Sequence, residues 1–181
     1  MPIPPFVALL RRKIGHDLLW MPGITAVVLR HCQGHPEPTR DTGGAGDAGG
    51  TGDSAPGLEV LLIKRSDTGA WTPVTGITDP GEHPHDTAER EVLEEASVVA
   101  RVERLVWVSS GRPMVHQNGD RAQYLDHTFR CRWVSGEPAP GDDEASEAAW
   151  FPLDALPEMS VRSAERIVCA VTNAPEVRLG D

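Results

Sequence analysis

Two spacings of apolar residues organise this chain of 181 residues. Phe6, Leu9, Leu10, Ile14 and Leu18 recur at helical spacing, which predicts a helix over 6–19 ended by Pro22-Gly23. Ile24 to Arg30 and Leu58 to Arg65 are rich in β-branched and aliphatic residues and read as strands. Between them, residues 33–57 carry almost no large apolar side chain. Such a composition cannot offset its own ordering entropy, so it predicts a mobile, glycine-rich insert in the turn of one hairpin.

Further along, a helix is expected from about Asp86, as N-cap, to Ala96, with Ala88, Val92, Leu93 and Ala96 as its packing stripe. Strands follow over 99–109, 124–134 and 147–151, the last two read as an antiparallel pair. Leu153 to Leu156 and Ser160 to Thr172 read as helical. In the second of these, Val161, Ala164, Ile167, Val168 and Val171 form the apolar stripe. Mixed strands with two main helices predict an α/β sandwich. The expected division is an N-terminal helical extension over 1–22 and one domain over 23–175. That apolar extension packs on the domain or on a second copy, so a homodimer is expected.

Charge narrows the chemistry. The net charge is −10, which argues against a protein that coats nucleic acid. An anionic substrate would need a metal ion or local arginines in order to approach. Three cysteines, far apart and without a CxxC pair, fit a reducing cytoplasm better than zinc or disulfides. Runs long and apolar enough to span a membrane are absent from the sequence, and Met1 to Lys13 places its charges after its apolar part, the reverse of a secretory signal.

The segment from Gly76 to Val98 changes the picture most. On a helix, positions 91 and 95 lie about 40° apart and 91 and 94 about 60° apart the other way. Glu91, Glu94 and Glu95 therefore share a face. Taken alone this is usually a solvated acidic surface, but stacked like charges destabilise an isolated helix by roughly 0.2–0.5 kcal/mol per pair. A hard cation such as Mg²⁺ or Mn²⁺ would compensate them.

This segment resembles the Nudix box. Gly76, Glu82, Arg90, Glu91, Val92, Glu94, Glu95 and Val98 stand at that family's spacing. Ser97 stands where the family has glycine, at the cost of about 1 kcal/mol for a left-handed serine after a helix. Trp71, the turn Asp79-Pro80-Gly81-Glu82 and Ala149 to Leu156 also have counterparts there. The resemblance implies a Nudix-type α/β/α sandwich with a mixed central sheet. It implies hydrolysis of the diphosphate bond of a nucleoside diphosphate derivative, such as ADP-ribose or a nucleotide sugar, with Mg²⁺ or Mn²⁺. Carried over by position, Gly76 (through its carbonyl), Glu91, Glu94 and Glu95 are metal ligands, Glu94 or Glu91 serves the chemistry, and Arg90 and Glu82 orient the carboxylates.

A further carboxylate is expected from the loop before the last strand. Glu144 is the first choice and Asp143 the second, with Asp142 and Glu147 nearby. Arg65, Trp71 and Asp120 are candidate substrate contacts. Gln123, Arg112 and His116 are others, and Trp107 and Tyr124 are candidate stacking partners for a base. The expected partner is a small nucleotide diphosphate, with neither nucleic acid nor membrane. Two other readings stay open: a nucleoside triphosphate pyrophosphohydrolase, and a silent nucleotide-binding module of the same fold.

Overall fold

The computed structural model describes residues 4–32, 57–141 and 143–180. The glycine-rich insert (except Gly57) and Asp142 lie outside the described residues. The first helix, α1, is Pro5–Ile14. It is followed by β1 (Leu19–His31), β2 (Leu58–Arg65), β3 (Trp71–Thr72), β4 (Val74–Ile77), α2 (Pro84–Ala96) and β5 (Val99–Ser110). The chain then forms β6 (Met114–Val115), β7 (Arg121–Ser135), β8 (Ala145–Pro152), α3 (Val161–Thr172) and β9 (Arg178–Leu179).

The strands make one mixed sheet ordered β3-β2-β1-β7-β5-β9, with β4 on β1, β6 on β7 and β8 on β2. Its centre is a long parallel ladder between β1 and β7, from Leu19 opposite Ala122 to Leu29 opposite Arg132. Strand β5 runs antiparallel to β7. The hairpin read across the insert forms, pairing Leu29 with Val60 and His31 with Leu58.

Side-chain alternation along β1 and β2 builds two cores, one on each face. Ile24, Ala26, Val28, Leu61 and Ile63 meet Ala88, Val92 and Ala96 of α2. Val27, Leu29, Leu58, Val60 and Leu62 meet Ile167 and Ala170 of α3. This is the expected α/β/α sandwich with a mixed central sheet.

Helix α1 adds a third cluster, Val7 with Met21, Ile77 and Ala122. Arg11 donates to the carbonyls of Asp17 (2.6 Å) and Arg121 (2.8 Å), anchoring it to the sheet.

Several sequence expectations are corrected. Helix α1 stops at Ile14, where Gly15 takes a φ of +57°. Leu19 to Gly23 belong to β1, because β7 pairs with them residue by residue despite Pro22. Strand β8 pairs with β2, from Glu59 opposite Pro152 to Arg65 opposite Ala145, and not with β7. Both flanks of β7 are already taken by β1 and β5. Leu153 to Leu156 form turns rather than a helix. In α3 the buried face is Ser163, Ile167 and Ala170, and Val161 and Val168 are exposed. The buried ion pair from Arg166 to Asp126 of β7 (2.9 Å) fixes the rotation of that helix.

Candidate functional site

The acidic helix is built from its entry. Gly81 supplies a left-handed turn (φ 91°), and the Glu82 amide donates to the Asp79 carbonyl (3.0 Å). Pro84 opens α2, where a missing N–H costs nothing and a fixed φ helps. The N-cap is His83, without a side-chain bond, not Asp86 as expected. Asp86 sits within the first turn, where a carboxylate suits the helix dipole. His83 and His85 are exposed, as expected.

Glu82 then turns back over the helix. Its carboxylate accepts from Thr87 Oγ1 (2.7 Å) and the Asp79 amide (3.3 Å). Arg90 grips it with both arms, Nε to Oε1 at 2.9 Å and Nη2 to Oε2 at 3.0 Å. The remaining nitrogen, Nη1, donates to Glu91 Oε1 (3.0 Å) and Glu94 Oε2 (2.9 Å). One guanidinium therefore joins three carboxylates. Its bond to Glu82 is the main reason that this carboxyl is held at about 2.

The three box glutamates step from solvent to core. Glu94 is exposed, Glu91 is half-buried, and Glu95 is 1% exposed. Glu95 occupies the buried stripe that the sequence assigned to Leu93, and Leu93 is 53% exposed. Burial, opposed by Arg90 and reinforced by the charges of Glu94 and Glu144, pushes the Glu91 carboxyl up to about 7. Gly76 faces Glu91 closely, and a Cβ there would lie 2.4 Å from Glu91 Cγ, Cδ and Oε1. Only glycine lets β4 bring its backbone to that carboxylate.

The helix end explains how an outside loop reaches the site. Ser97 adopts the left-handed conformation expected of it (φ 56°, ψ 25°) and its amide bonds the Leu93 carbonyl. The β7–β8 loop then covers the last turn. The Ala139 amide bonds the Ala96 carbonyl (3.1 Å) and the Gly141 amide bonds the Glu95 carbonyl (3.2 Å), satisfying two helix-end acceptors. A Cβ on Gly141 would sit 2.0 Å from the Glu94 carbonyl oxygen. This docking brings Glu144, just before β8, within electrostatic range of Glu91 and of Arg65. The sequence reading missed Gly141. Its only local signal is a glycine inside the acidic turn.

The other candidates disperse. Arg65 lies close enough to Glu95 and Glu144 to feel their charge, and its guanidinium holds Asp67 with two bonds (2.9 and 2.6 Å). Trp71 belongs to the α3-side core, edge-on to Phe151 with centroids 4.8 Å apart. It is therefore on the sheet face opposite α2. Asp120 is engaged by His16 Nδ1 (2.8 Å), Asn118 Nδ2 (2.9 Å) and Arg11 (3.5 Å) and ties α1 to the sheet.

Gln123 donates to the Gly111 carbonyl (2.9 Å), Tyr124 OH meets His116 Nε2 (3.1 Å), and Trp107 is buried with its indole N–H on the Gly180 carbonyl (2.6 Å). Glu147 pairs with Lys64 (2.8 Å), and Asp143 is exposed. Arg112 is exposed at the rim of a cavity on the α3 face.

Among the described residues, no three acidic, histidine or cysteine side chains stand as a ready-made metal cage. The donors nonetheless suit a hard divalent ion. All are oxygens, and Glu91 and Glu94 already converge on one positive group, Arg90 Nη1. Gly76, Glu91, Glu94, Glu95 and Glu144 are the residues that would hold it.

An α/β/α domain with a carboxylate helix gathered around one cation defines the class of this protein. A model of the NUDIX domain matches residues 52–171, well over half of the chain, and the chain belongs to that family. Among relatives, the NAD-capped RNA hydrolase NudC of Pseudomonas aeruginosa is 36% identical over 105 residues, 57% of this chain and 35% of that protein. The chain spans about a third of the length of the curated relatives it matches. An ADP-ribose pyrophosphatase from Streptococcus suis superimposes with a TM-score of 0.57 at 18% identity, over 88% of this chain and 97% of the other. A UDP-X diphosphatase does so with a TM-score of 0.58 at 18% identity, over 97% and 74%. At those identities the likeness shows the fold. Among the described residues no helix is long and apolar enough to cross a membrane.

Proposed function

We propose that this chain hydrolyses the diphosphate linkage of a nucleoside diphosphate derivative with the help of Mg²⁺ or Mn²⁺. The observation that carries the reading is the sharing of Arg90 Nη1 by Glu91 and Glu94 beside the side-chain-free face of Gly76. When bound, the ion supplies Lewis-acid polarisation of phosphoryl oxygens and offsets the charge of the diphosphate. Arg90 fixes the orientation of Glu82, Glu91 and Glu94. Glu94, half out in solvent (52% of its side chain), is the group placed to accept a proton from water, with Glu91 beside it. Glu95 and Glu144 complete the acidic lining. Arg65, which feels the charge of Glu95 and Glu144, is a second cation, beside Arg90, for a substrate phosphate. Trp71 and Asp120 complete the proposed substrate contacts, each held in place by its own packing or hydrogen bonds.

Membership of the NUDIX family, and similarity to proteins named for NAD-capped RNA, ADP-ribose and UDP-linked diphosphates, support a nucleotide derivative as substrate. A homodimer is part of the same proposal. Leu9 (52% exposed), Trp20 (55%) and Val115 (66%) leave apolar surface around the α1 end of the sheet.

The test is turnover of a panel of nucleotide derivatives with Mg²⁺, read as phosphate after phosphatase coupling. The panel includes ADP-ribose, UDP-glucose, NAD, an NAD-capped RNA and nucleoside triphosphates. Release of two monophosphates without pyrophosphate is expected. Glu95→Gln should lower Mg²⁺-dependent kcat by about 100-fold while its thermal unfolding stays close to that of the parent. Undiminished turnover would remove Glu95 from the site, and pyrophosphate as a product would favour the triphosphate reading.

A further inference from the structure

Arg90 divides its bonds unequally. Nε and Nη2 both go to Glu82 (2.9 and 3.0 Å), a carboxylate fixed in turn by Thr87 Oγ1 and the Asp79 amide. Nη1 alone serves Glu91 Oε1 (3.0 Å) and Glu94 Oε2 (2.9 Å). If both Nη1 bonds were given up, the guanidinium would still be held in a two-bonded pair. Its partner in that pair, Glu82, lies outside the candidate ligands Gly76, Glu91, Glu94, Glu95 and Glu144.

The oxygen that Nη1 takes on Glu91 is also the one turned toward β4. A Cβ at Gly76 would come within 2.4 Å of Glu91 Oε1. An ion bound by Glu91 and Glu94 next to the Gly76 backbone draws on the same oxygens as Nη1. A guanidinium and a divalent cation on one pair of carboxylates repel each other. The stacked charges of Glu91 and Glu94 need one of the two, because like charges on neighbouring turns destabilise the helix. The arginine supplies that charge from within the chain, and Glu82 gives it a place to remain when the ion takes over.

We propose that Arg90 Nη1 is a resident counter-ion of Glu91 and Glu94 which a divalent cation displaces, the guanidinium staying docked on Glu82. This rests on the metal reading above and goes beyond it. Arg90 opposes the ion as well as ordering the carboxylates, so the site loads by exchange for a positive group of its own.

The test is Mn²⁺ binding to the full chain, read from the spin-resonance signal of the free ion, which needs neither substrate nor turnover. Arg90→Gln should bind Mn²⁺ about threefold or more tightly than the parent, the scale that a lost, partly exposed charge pair accounts for. A purely orienting arginine gives the opposite sign, since loosened carboxylates hold the ion more weakly. In parallel, the Arg90 guanidinium signals of the isotope-labelled parent are followed by NMR as Mg²⁺ is added. The Nη1 protons should shift until the ion saturates, while the Nε proton, on Glu82, stays in place. That measurement decides the matter even if Arg90→Gln fails to fold. Equal or weaker Mn²⁺ affinity in a folded Arg90→Gln, or Nη1 signals unmoved at saturating Mg²⁺, would overturn the counter-ion role and leave the hydrolase reading standing. A parent that binds no Mn²⁺ would overturn both.

Discussion

Arg90 shows how much a single side chain settles here. It bonds Glu82 with two nitrogens and bridges Glu91 and Glu94 with the third. Its acid-side consequence is measurable. Glu82 is held at about 2, against 4.5 for the free side chain. A carboxyl lowered on folding adds stability that is full above the unfolded value and is lost as pH falls toward the folded one. Between pH 5 and pH 2.5 the melting temperature of the parent should therefore fall more steeply than that of Glu82→Gln, as followed by circular dichroism. Equal slopes would show that the ion pair contributes nothing to acid stability. The identities of these residues were plain in the sequence because the box spacing fixes them. That Glu95 would be buried and Leu93 exposed was not, since a helix periodicity allows either rotation until the sheet chooses one.

At the scale of elements, the end of α2 is where local and distant sequence meet. Ser97 turns the chain with a left-handed residue, and the β7–β8 loop closes over the last carbonyls through Ala139 and Gly141. Gly141→Ala places a carbon 2.0 Å from the Glu94 carbonyl oxygen. It should cost about 1–3 kcal/mol in urea unfolding and lower kcat by displacing Glu144. Retained stability and turnover would show that the loop yields without consequence. Ser97→Gly relaxes the same turn and should raise stability by up to about 1 kcal/mol, measured by the same unfolding curve.

Helix α3 carries a comparable local device, since Ser160 Oγ accepts from the Ser163 amide (3.1 Å) and marks the helix start that the sequence already indicated. The long strands were legible from β-branched runs, but the two-residue strands β6 and β9 were not. Neither were strand partners. β8 crosses to β2 because β7 already has two neighbours, a fact of assembly with no signature in either segment.

At the scale of the molecule, charge is distributed unevenly. The acidic helix packs on one face of the sheet, and Arg112, Arg162, Arg166 and Arg178 line a cavity beside α3, within a chain of net charge −10. The apolar surface near α1 belongs to this scale too. Sedimentation velocity at micromolar concentration should show a species of twice the chain mass, and Trp20→Ser should shift it toward the monomer. A parent that sediments as a monomer would end the dimer proposal.

What the sequence decided alone is what short-range spacing can encode. The box spacing fixed which carboxylates share a helix and where that helix stops, while the mixed sheet came from the family resemblance. The first two follow from residues within a few turns of one another. The tertiary structure decided the rest: the burial of Glu95, the arrival of Glu144 within electrostatic range of Arg65 and Glu91, the packing of Trp71 in the opposite core, and the gathering of Arg112, Arg162, Arg166 and Arg178. Those residues are distant along the chain, and only closure of the sheet around β1 and β7 gives them a common neighbourhood.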